Sequence, residues 1–384
     1  MDALTTPLPK DWQKVRLGDI CEFGNGGAYE TLIVENGNFK LISLNSIDID
    51  GNLKNTMKRV NFYDNSLKQD DIVMVLSDVA HGDFLGLCAV IPSNDYVLNQ
   101  RMGRLRKRND CINILFLRLY INANQKYFKM QGQGSSQLNL SKKAIEDFEI
   151  LLPPLNEQIA IANILSDLDR YLYSLDALIL KKESVKKALS FELLSQRKRL
   201  KGFNQAWQRV RLGDIAEIKR GVRITKNELD VFGKYPVVSG GVGFLGYTNN
   251  FNRYENTITI AQYGTAGYVN FQKNKFWAND ICFCVYPNKD VIKNIFLYYF
   301  LKINQNYLYE ISNRNATPYS ISKDKILDFE ILLPPLNEQI AIANILSDLD
   351  SEIISLKNKK RQFENIKKAL NHDLMSAKIR VLKK

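Results

Sequence analysis

The sequence DFEILLPPLNEQIAIANILSDLD at residues 147–169 recurs letter for letter at residues 328–350. A second matched pair opens each half of the chain, WQKVRLGDI at residues 12–20 and WQRVRLGDI at residues 207–215. Because an internal repeat marks a repeated structural unit, we expect the order domain, helix, domain, helix. The predicted boundaries are 1–152 for the first domain, 153–202 for its helix, 203–333 for the second domain and 334–384 for its helix.

Between these anchors the two domains differ, and only faint similarities remain. INILFLRLYINANQKYF at 112–128 resembles IKNIFLYYFLKINQNYL at 292–308, and both patterns predict an amphipathic helix. Residues 71–75 and 257–260 predict strands. Many short apolar runs are separated by Gly, Asn and Asp, which is typical of a mixed α+β domain. The predicted fold class is therefore α+β, with two tandem globular domains separated by two long helices.

Each copy of the long repeat predicts the start of a helix. An alternating apolar strand ends at a Pro-Pro pair, since proline cannot donate to a sheet ladder. Asn156 and Asn337 then suit the N-cap, where a side-chain oxygen accepts a free backbone N–H. Glu157 and Glu338 follow in the first turn, where a negative charge suits the helix dipole.

Apolar residues then step by four and three along each copy, as in a heptad seam. The seam residues are Ile161, Leu165, Leu168, Leu172, Leu175 and Ile179 in the first helix, and Ile342, Leu346, Leu349, Ile353, Leu356, Phe363, Leu370 and Leu374 in the second. A helix from Asn156 to about Leu200 would be ~68 Å long. Because each helix needs its apolar stripe covered, we expect the two helices to pair.

Basic residues follow each helix, and we interpret most of them as solvated charged ends. They are Arg197, Lys198, Arg199 and Lys201 after the first helix, and Lys378, Arg380, Lys383 and Lys384 after the second.

The identity of the two copies exceeds what pairing requires, because outward-facing residues also recur. Two equal surfaces suggest two equal docking sites for two copies of one partner, and simple lack of divergence is the alternative. The candidate docking residues are Glu157, Gln158 and Asn163 in the first copy, and Glu338, Gln339 and Asn344 in the second.

Composition limits the classes of function. The formal net charge of +12 over 384 residues favours a polyanionic partner, although an ordinary basic protein would show it too. Five cysteines without a C-x-x-C pair indicate neither a disulfide framework nor a zinc module. Two histidines argue against a histidine-based metal site. Neither a signal peptide nor an apolar run of about 18 residues occurs, so we expect a cytoplasmic protein with no membrane partner.

Motifs of nucleotide and methyl-transfer chemistry are absent from the sequence. LPPL at residues 152–155 lacks the polar residue and the aromatic residue of a [DNS]-P-P-[YFW] methyltransferase motif, and no G-x-x-x-x-G-K-[ST] loop occurs. The glycine-rich runs at 23–27 and 239–246 are predicted to be turns. We therefore predict no catalytic residues, no metal and no cofactor on this chain.

The two anchors and their tandem arrangement resemble the DNA specificity subunit of type I restriction-modification enzymes. The resemblance covers essentially the whole chain, and the duplicated L-P-P-L-N-E-Q helix start is its most specific part. It implies two target-recognition domains, each reading one half of a split, asymmetric site in double-stranded DNA. It also implies that the helices form an antiparallel coiled coil that fixes the gap between the half-sites.

Partners follow from the same resemblance. Two methyltransferase subunits would dock on the helices, and restriction subunits would join them. S-adenosylmethionine, ATP and Mg would be bound by those subunits.

Arginine and amide side chains match the edges of bases, whereas lysines mainly hold phosphates. Arg104, Arg106 and Arg108 alternate, so they would share one strand face in the first domain. The aligned stretch of the second domain, residues 282–286, is apolar, as expected if the two domains read different sequences. An exposed edge strand carrying protective charges explains the arginines equally well.

Two polar, amide-rich loops are further candidates for contact with DNA, with turn formation as the alternative. The first loop contributes Gln133, Ser135, Gln137 and Asn139, and the second contributes Arg314, Asn315, Thr317 and Tyr319. Weaker candidates in the second domain are Arg220, Arg223, Gln262, Tyr263 and Thr265.

Two other classes of function remain open. A coiled-coil scaffold with protein-binding domains would bind DNA with little sequence preference. A self-contained nuclease would turn over with a divalent metal alone.

Overall fold

A computed structural model describes residues 9–79, 82–315 and 317–381. The chain divides into two compact units, the first made of residues 1–174 and 360–384 and the second of residues 175–359. Each unit contains one globular domain and a part of each long helix.

The first domain is built from short strands and helices. Its strands are β1 (Gln13–Arg16), β2 (Cys21–Asn25), β3 (Phe39–Ile42), β4 (Lys58–Val60), β5 (Ile72–Val75), β6 (Ser77–Val79), β7 (Cys88–Val90), β8 (Tyr96–Leu98), β9 (Met102–Lys107), β10 (Gln137–Asn139) and β11 (Glu149–Leu152). Its helices are α1 (Leu17–Ile20), α2 (Ile114–Ala123), α3 (Gln125–Gln131) and α4 (Lys142–Glu146), and the long helix α5 (Leu155–Leu194) follows. Single 3-10 turns lie at Glu30–Leu32 and Leu44–Ser46.

A four-stranded antiparallel sheet in the order β2-β9-β5-β7 forms the centre of the first domain. Strand β5 is buried on both faces, which explains its uninterrupted apolar sequence. One face packs on α2 through Phe116 and Leu117. The other face packs on the three-stranded sheet β4-β3-β8, where β3 and β8 run parallel.

The second domain repeats this plan with a different sequence. Its strands are β12 (Gln208–Arg211), β13 (Ala216–Arg220), β14 (Tyr235–Val238), β15 (Gly246–Thr248), β16 (Thr257–Ala261), β17 (Val269–Gln272), β18 (Trp277–Ala278), β19 (Cys282–Pro287) and β20 (Glu330–Leu333). Its helices are α6 (Leu212–Ile215), α7 (Asn294–Ile303), α8 (Gln305–Glu310) and α9 (Lys323–Leu327), followed by the long helix α10 (Leu336–Met375), and a 3-10 turn lies at Lys226–Glu228. The sheet orders are β13-β19-β16-β17 and β15-β14-β18. The predicted α+β class and the predicted strands at 71–75 and 257–260 are confirmed.

The long helices begin earlier than the predicted N-cap positions. Helix α5 starts at Leu155, so Asn156 lies inside the first turn and is not the N-cap. The carbonyl of Pro154 accepts the first helical N–H bonds, from Glu157 at 2.9 Å and Gln158 at 3.0 Å. Asn337 likewise follows Leu336 within α10. Each helix has 40 residues. Helix α5 ends at Leu194, short of the predicted end near Leu200.

The predicted seam is the buried side of both helices. In the first helix Ile161, Leu165, Leu175 and Ile179 are buried, and in the second Ile342, Leu346, Ile353 and Leu374 are buried. Residues near the helix starts, such as Ile161 and Ile342, belong to the domain cores. The domains are thereby anchored to the helices through shared apolar packing.

Within each unit the two helix segments run in opposite directions. In the second unit, Lys182 pairs with Glu352 at 2.7 Å and Lys186 pairs with Asp350 at 2.5 Å. In the first unit, Asp169 pairs with Lys367, and the rings of Tyr171 and Phe363 lie 4.8 Å apart. In the contacting pairs, the residue number rises along one helix as it falls along the other, so the two segments are antiparallel.

Two of the basic residues after the helices are not solvated ends. Arg199 binds Glu338 through two guanidinium nitrogens, at 3.1 and 2.6 Å, and Glu338 also accepts the indole N–H of Trp207 at 3.0 Å. The interpretation of Arg199 as a solvated charge is therefore wrong, because the fully buried carboxylate of Glu338 requires the positive charge of Arg199 as its partner.

The first unit contains the equivalent group. Arg380 binds Glu157 through two nitrogens, each at 2.7 Å, and Glu157 accepts the indole N–H of Trp12 at 3.2 Å. Asp11 adds a second carboxylate to Arg380. Lys383 and Lys384 lie outside the described residues.

Candidate nucleic-acid interface

Three segments meet at one end of the central sheet in the first domain. Residues 77–79 of β6 pair with residues 137–139 of β10, and Gln133 closes the intervening loop by two backbone bonds with Asn139. The cleft that Ser77 and Gln137 line is also lined by Leu44, Asn45 and Ile47. We name the segments 43–47, 77–79 and 131–139 the first loop cluster.

A cleft of about 320 Å³ opens in the first loop cluster. Asn45, Lys54, Arg101 and Gln137 are among the residues that line it. Lys54 and Arg101 are exposed. The cleft thus combines two cations and two amide groups with the carboxylate of Asp78, which already accepts backbone N–H bonds. Cations and amides are the groups that contact phosphates and base edges.

The loop predicted from sequence lies in this cluster. Gln133 and Ser135 are exposed, and Gln137 faces the cleft. Asn139 is also exposed, but its amide is engaged, because its oxygen accepts from the hydroxyl of Ser77 and its nitrogen donates to the carbonyl of Gln137. Gln133, Ser135 and Gln137 are therefore better candidates for external contacts than Asn139.

The three arginines of β9 have intramolecular partners instead. Arg106 forms a bidentate ion pair with the buried Asp71, at 2.8 and 2.6 Å, and Arg104 pairs with Glu22 at 2.7 Å. The Asp71 carboxylate raises the pKa of Arg106. Arg108 donates to the carbonyls of Gly18 and Cys21, at the opposite end of the strand from the first loop cluster.

The structure decides one of the two interpretations of these arginines. Strand β9 lies between β2 and β5, so the edge-strand explanation is wrong. Arg104 and Arg106 do share a face, since both donate to the carbonyl of Ser66. Their charges are already paired with Glu22 and Asp71. All three arginines lie outside the first loop cluster, and their contact with DNA stays a prediction.

Three segments also meet at the matching end of the second domain. The hydroxyl of Thr265 donates to the carbonyl of Gly240 at 2.7 Å, and Gly264 N–H donates to the carbonyl of Tyr319 at 3.0 Å. Tyr263 pairs with Ser320 in an isolated bridge. We name the segments 239–246, 262–265, 312–315 and 317–320 the second loop cluster. Residue 316 lies outside the described residues.

Most of the predicted contacts of the second domain converge on this cluster. Arg314 lies over two tyrosine rings, with its guanidinium carbon 5.3 Å from the ring centre of Tyr309 and 5.1 Å from that of Tyr319. Asn315, Thr317 and Tyr319 are exposed. Stacking holds the arginine in one place while leaving it open to solvent.

Gln262 and Thr265 occupy the inner part of the cluster. The side-chain oxygen of Gln262 is buried and has no hydrogen-bond partner in the described part of the chain. A buried acceptor without a donor costs free energy, so a donor from a bound ligand would stabilise it. Thr265 already donates to Gly240 and serves to position the glycine-rich loop.

Arg220 and Arg223 lie at the same end of the sheet. Gly221 N–H bonds to Cys282, and Gln262 N–H bonds to the adjacent Ile281, which places both segments side by side. Arg220 donates to the carbonyl of Asp280. Arg223 is exposed, and no bonding partner occurs for its guanidinium among residues 9–79, 82–315 and 317–381.

Sequence reasoning missed several residues of both clusters. Lys54 and Arg101 reach the first cleft only through folding, although Arg101 directly precedes the arginine-rich strand that we did consider. In the second cluster, Val242, Phe244 and Leu245 are exposed to 60, 51 and 46% on the glycine-rich loop. Large apolar residues between glycines were the available signal, because a loop tip has no core to bury them.

Four of the six candidate docking residues are not on the surface. Glu157, Gln158, Glu338 and Gln339 are buried. The Gln158 amide donates to the carbonyls of Cys111 and Pro153 and accepts from Asn113 N–H.

Gln339 makes the equivalent bonds in the second domain, to Val291, Pro334 and Lys293. These glutamates and glutamines recur because each fastens a domain to a helix start. Asn163 and Asn344 are exposed, as predicted.

Within the ranges that the structure describes, no group of three or more His, Cys, Asp or Glu side chains could hold a metal ion. In the same ranges, none of the helices is both long and apolar enough to cross a membrane.

Comparison with known proteins matches both halves of the chain to one family. The type I restriction modification DNA specificity domain matches residues 9–182 and again residues 204–365. The specificity subunit of the type I restriction enzyme MjaVIII from Methanocaldococcus jannaschii is 25% identical over 97% of this chain and 94% of its own length. A putative type I specificity subunit of Mycoplasma pneumoniae is 32% identical over 39% of this chain and 40% of its own length.

Solved structures show the same fold. The crystal structure of the S subunit of a type I restriction-modification system from M. genitalium matches with a TM-score of 0.71 and 18% identity. The match covers 97% of this chain and 98% of that one. The HsdS subunit of Thermoanaerobacter tengcongensis matches with a TM-score of 0.53 and 17% identity, over 99% of this chain and all of that one.

Proposed function

Because the chain belongs to the type I restriction modification DNA specificity family, we propose that its two loop clusters read the two halves of a bipartite, asymmetric DNA site. As a specificity subunit, the chain recognises DNA sequence and is not itself catalytic. One observation supports this proposal most directly: equivalent segments of the two domains meet in one polar loop cluster in each domain.

The chemistry of the two clusters supports different half-sites. The cleft at the first cluster offers amides with Lys54 and Arg101, whereas the second cluster offers Arg314, tyrosines and an apolar tip. Amides and arginines bond to base edges, and apolar side chains contact the thymine methyl group. Since the frameworks match while the loops differ, each domain would contact DNA in a similar way and prefer a different sequence.

The partners in this proposal are two methyltransferase subunits, with restriction subunits completing the complex. S-adenosylmethionine, ATP and Mg would be bound on those subunits. The docking surface must differ from the buried residues first considered. Ile159 and Asn163 in the first unit, and Ile340 and Asn344 in the second, are exposed on identical sequence, which favours equal docking of two copies.

Methylome sequencing tests the proposal. A host expresses the methyltransferase whose gene neighbours that of this chain, in the presence and in the absence of the chain. We expect a new methylated motif in two separated parts, which appears only when the chain is present. Exchange of residues 12–146 for those of a relative should then change one part and leave the other unchanged.

The scaffold alternative predicts a different result. A soluble complex with the methyltransferase would form, yet no chain-dependent motif would appear. That outcome would contradict the proposed reading of DNA and leave only the helices with a role.

A further inference from the structure

A cavity of about 460 Å³ lies in the second unit, between α7 and the two long-helix segments. Its apolar lining includes Ile303, Ile353 and Ile354, and Tyr299 adds an aromatic ring. This volume is within the range of small-ligand sites. All of the lining residues belong to residues 175–359, so the cavity is internal to one unit.

Four lysines line this cavity, and two of them are neutralised. Lys186 pairs with Asp350 at 2.5 Å, and Lys357 pairs with Glu183 at 2.6 Å. Asp350 and Glu183 are the only carboxylates among the described residues that line the cavity.

The other two ammonium groups, those of Lys187 and Lys302, have no carboxylate partner in the described part of the chain. Lys302 donates to the carbonyl of Val269 at 2.9 Å and lies 4.3 Å from the ring centre of Tyr268. Burial, together with repulsion from Lys186, holds the pKa of Lys302 below its usual range. The cavity therefore has an excess of positive charge that an anion would relieve.

The matched positions of the first unit lack this charge. Asn122 stands where the second unit has Lys302, and Asp176 stands where it has Lys357. The Asn122 amide accepts from the N–H of Cys88 and donates to the carbonyl of Cys88, so it satisfies both backbone groups of the first residue of β7. Lys302 keeps a bond to the matched strand, through Val269, and adds a charge.

The cavity begins where the identity of the two repeats ends. Asp350 is the last residue of the identical segment, whereas Ile354 and Lys357 differ from their counterparts Tyr173 and Asp176. A partner that docks equally on both units would need identical surfaces. This cavity therefore suits a ligand that only the second unit binds.

We propose that the cavity binds a phosphate-bearing anion, with its phosphates at Lys187 and Lys302 and an apolar ring system against Ile353, Ile354 and Tyr299. A nucleoside triphosphate has this chemistry, and a backbone phosphate of DNA shares its anionic part. The site is distinct from both loop clusters and does not depend on their role.

Isothermal titration calorimetry on the purified full-length chain tests the site, with Mg-free ATP and inorganic pyrophosphate as probes. Lys302→Asn introduces the residue that the first unit tolerates, so the fold should persist, and a thermal melt checks this. We expect Lys302→Asn and Lys187→Ala each to weaken ATP binding at least tenfold. Lys368→Ala, at the position of the first unit that matches Lys187, is the control and should change nothing.

A second arm distinguishes the two sources of phosphate. If neither probe binds, but Lys302→Asn lowers the salt dependence of binding to non-target duplex DNA by about one ion, the phosphate belongs to the DNA backbone. No effect in either arm, or an equal effect of Lys368→Ala, would overturn the site. The methylated motif should be unchanged in Lys302→Asn, so failure of the site and failure of the proposed DNA reading give different results.

Discussion

Glu338 has no exposed side-chain surface, and the Arg199 guanidinium and the Trp207 indole N–H bond to its carboxylate. A charge taken out of water is tolerated only when it is paired and hydrogen-bonded. The same arrangement of Glu157, Arg380 and Trp12 occurs in the first unit. At the scale of single residues, Glu157 and Glu338, which the two repeats share, therefore attach each domain to the start of a long helix.

Glu338→Ala should lower the free energy of unfolding by roughly 2–4 kcal/mol, because it leaves Arg199 half-buried without its counter-charge. Urea denaturation followed by circular dichroism measures this change. The control is Glu330→Ala, whose pair with Arg209 is 59 and 69% exposed and should cost less than about 1 kcal/mol. Equal losses in the two variants would show that the buried group has no special role.

Arg223→Ala tests the electrostatic role of the exposed arginine that lies beside the second loop cluster. Its guanidinium is exposed, so the variant should fold normally and weaken binding to all DNA sequences alike. The slope of log K against log salt should fall by about 1, the value for one lost phosphate contact. Fluorescence anisotropy at several salt concentrations gives the slope. A change of motif without a change of slope would instead assign Arg223 to base reading.

At the scale of elements, each recognition surface is a set of loops held by a rigid sheet. The glycine-rich segment 239–246 leads from β14 into β15, and a close approach at Gly240 fixes it against the 262–265 turn. A Cβ at Gly240 would lie 2.2 Å from the carbonyl oxygen of Tyr263, whereas a Cβ at Gly243 would meet nothing within 4 Å. Two glycines of one loop therefore have different structural importance.

Gly240→Ala should separate the loop from the turn and impair recognition by the second domain alone. Gly243→Ala, the matched control, should retain recognition. In methylome sequencing, we expect the second half-site to be lost or relaxed in Gly240→Ala while the first half-site stays the same. Normal methylation by Gly240→Ala would show that the contact between loop and turn is not needed for reading DNA.

At the scale of the whole molecule, two helices of 40 residues each run through both compact units. Each long helix contributes residues to the cores of both domains, so the helices are part of the folded domains and not simple linkers. Under the proposed function, their length would determine the gap between the half-sites. The predicted boundaries at 152/153 and 333/334 remain a prediction about which segments can be exchanged.

Deletion of one heptad from both helices tests this role. Seven residues contribute about 10 Å of helix, so the gap between half-sites should shorten by up to about three base pairs. The half-sites themselves should stay the same, since the loop clusters are untouched. A methylome in which the half-sites change, but not their spacing, would contradict the modular organisation.

The sequence by itself determined the two-fold organisation, the long helices and their buried seam. A letter-for-letter repeat and a step of four and three are properties of neighbouring residues, and helical periodicity follows from local backbone geometry. The same reasoning predicted polar loops at 131–139 and 312–319, since amide-rich segments between periodic ones predict loops. The end of the first loop is different in the structure, because Gln137–Asn139 form strand β10.

Only the tertiary structure decided which polar side chains are available to a partner. Arg106 meets Asp71 and Gln158 meets Cys111, partners far away in sequence that no local pattern reveals. Gln158 and Asn163 belong to the same repeat, yet one is buried under a domain and the other is exposed. Burial depends on what packs against a helix face, and that is fixed by the fold of the whole unit rather than by the identity of the residue.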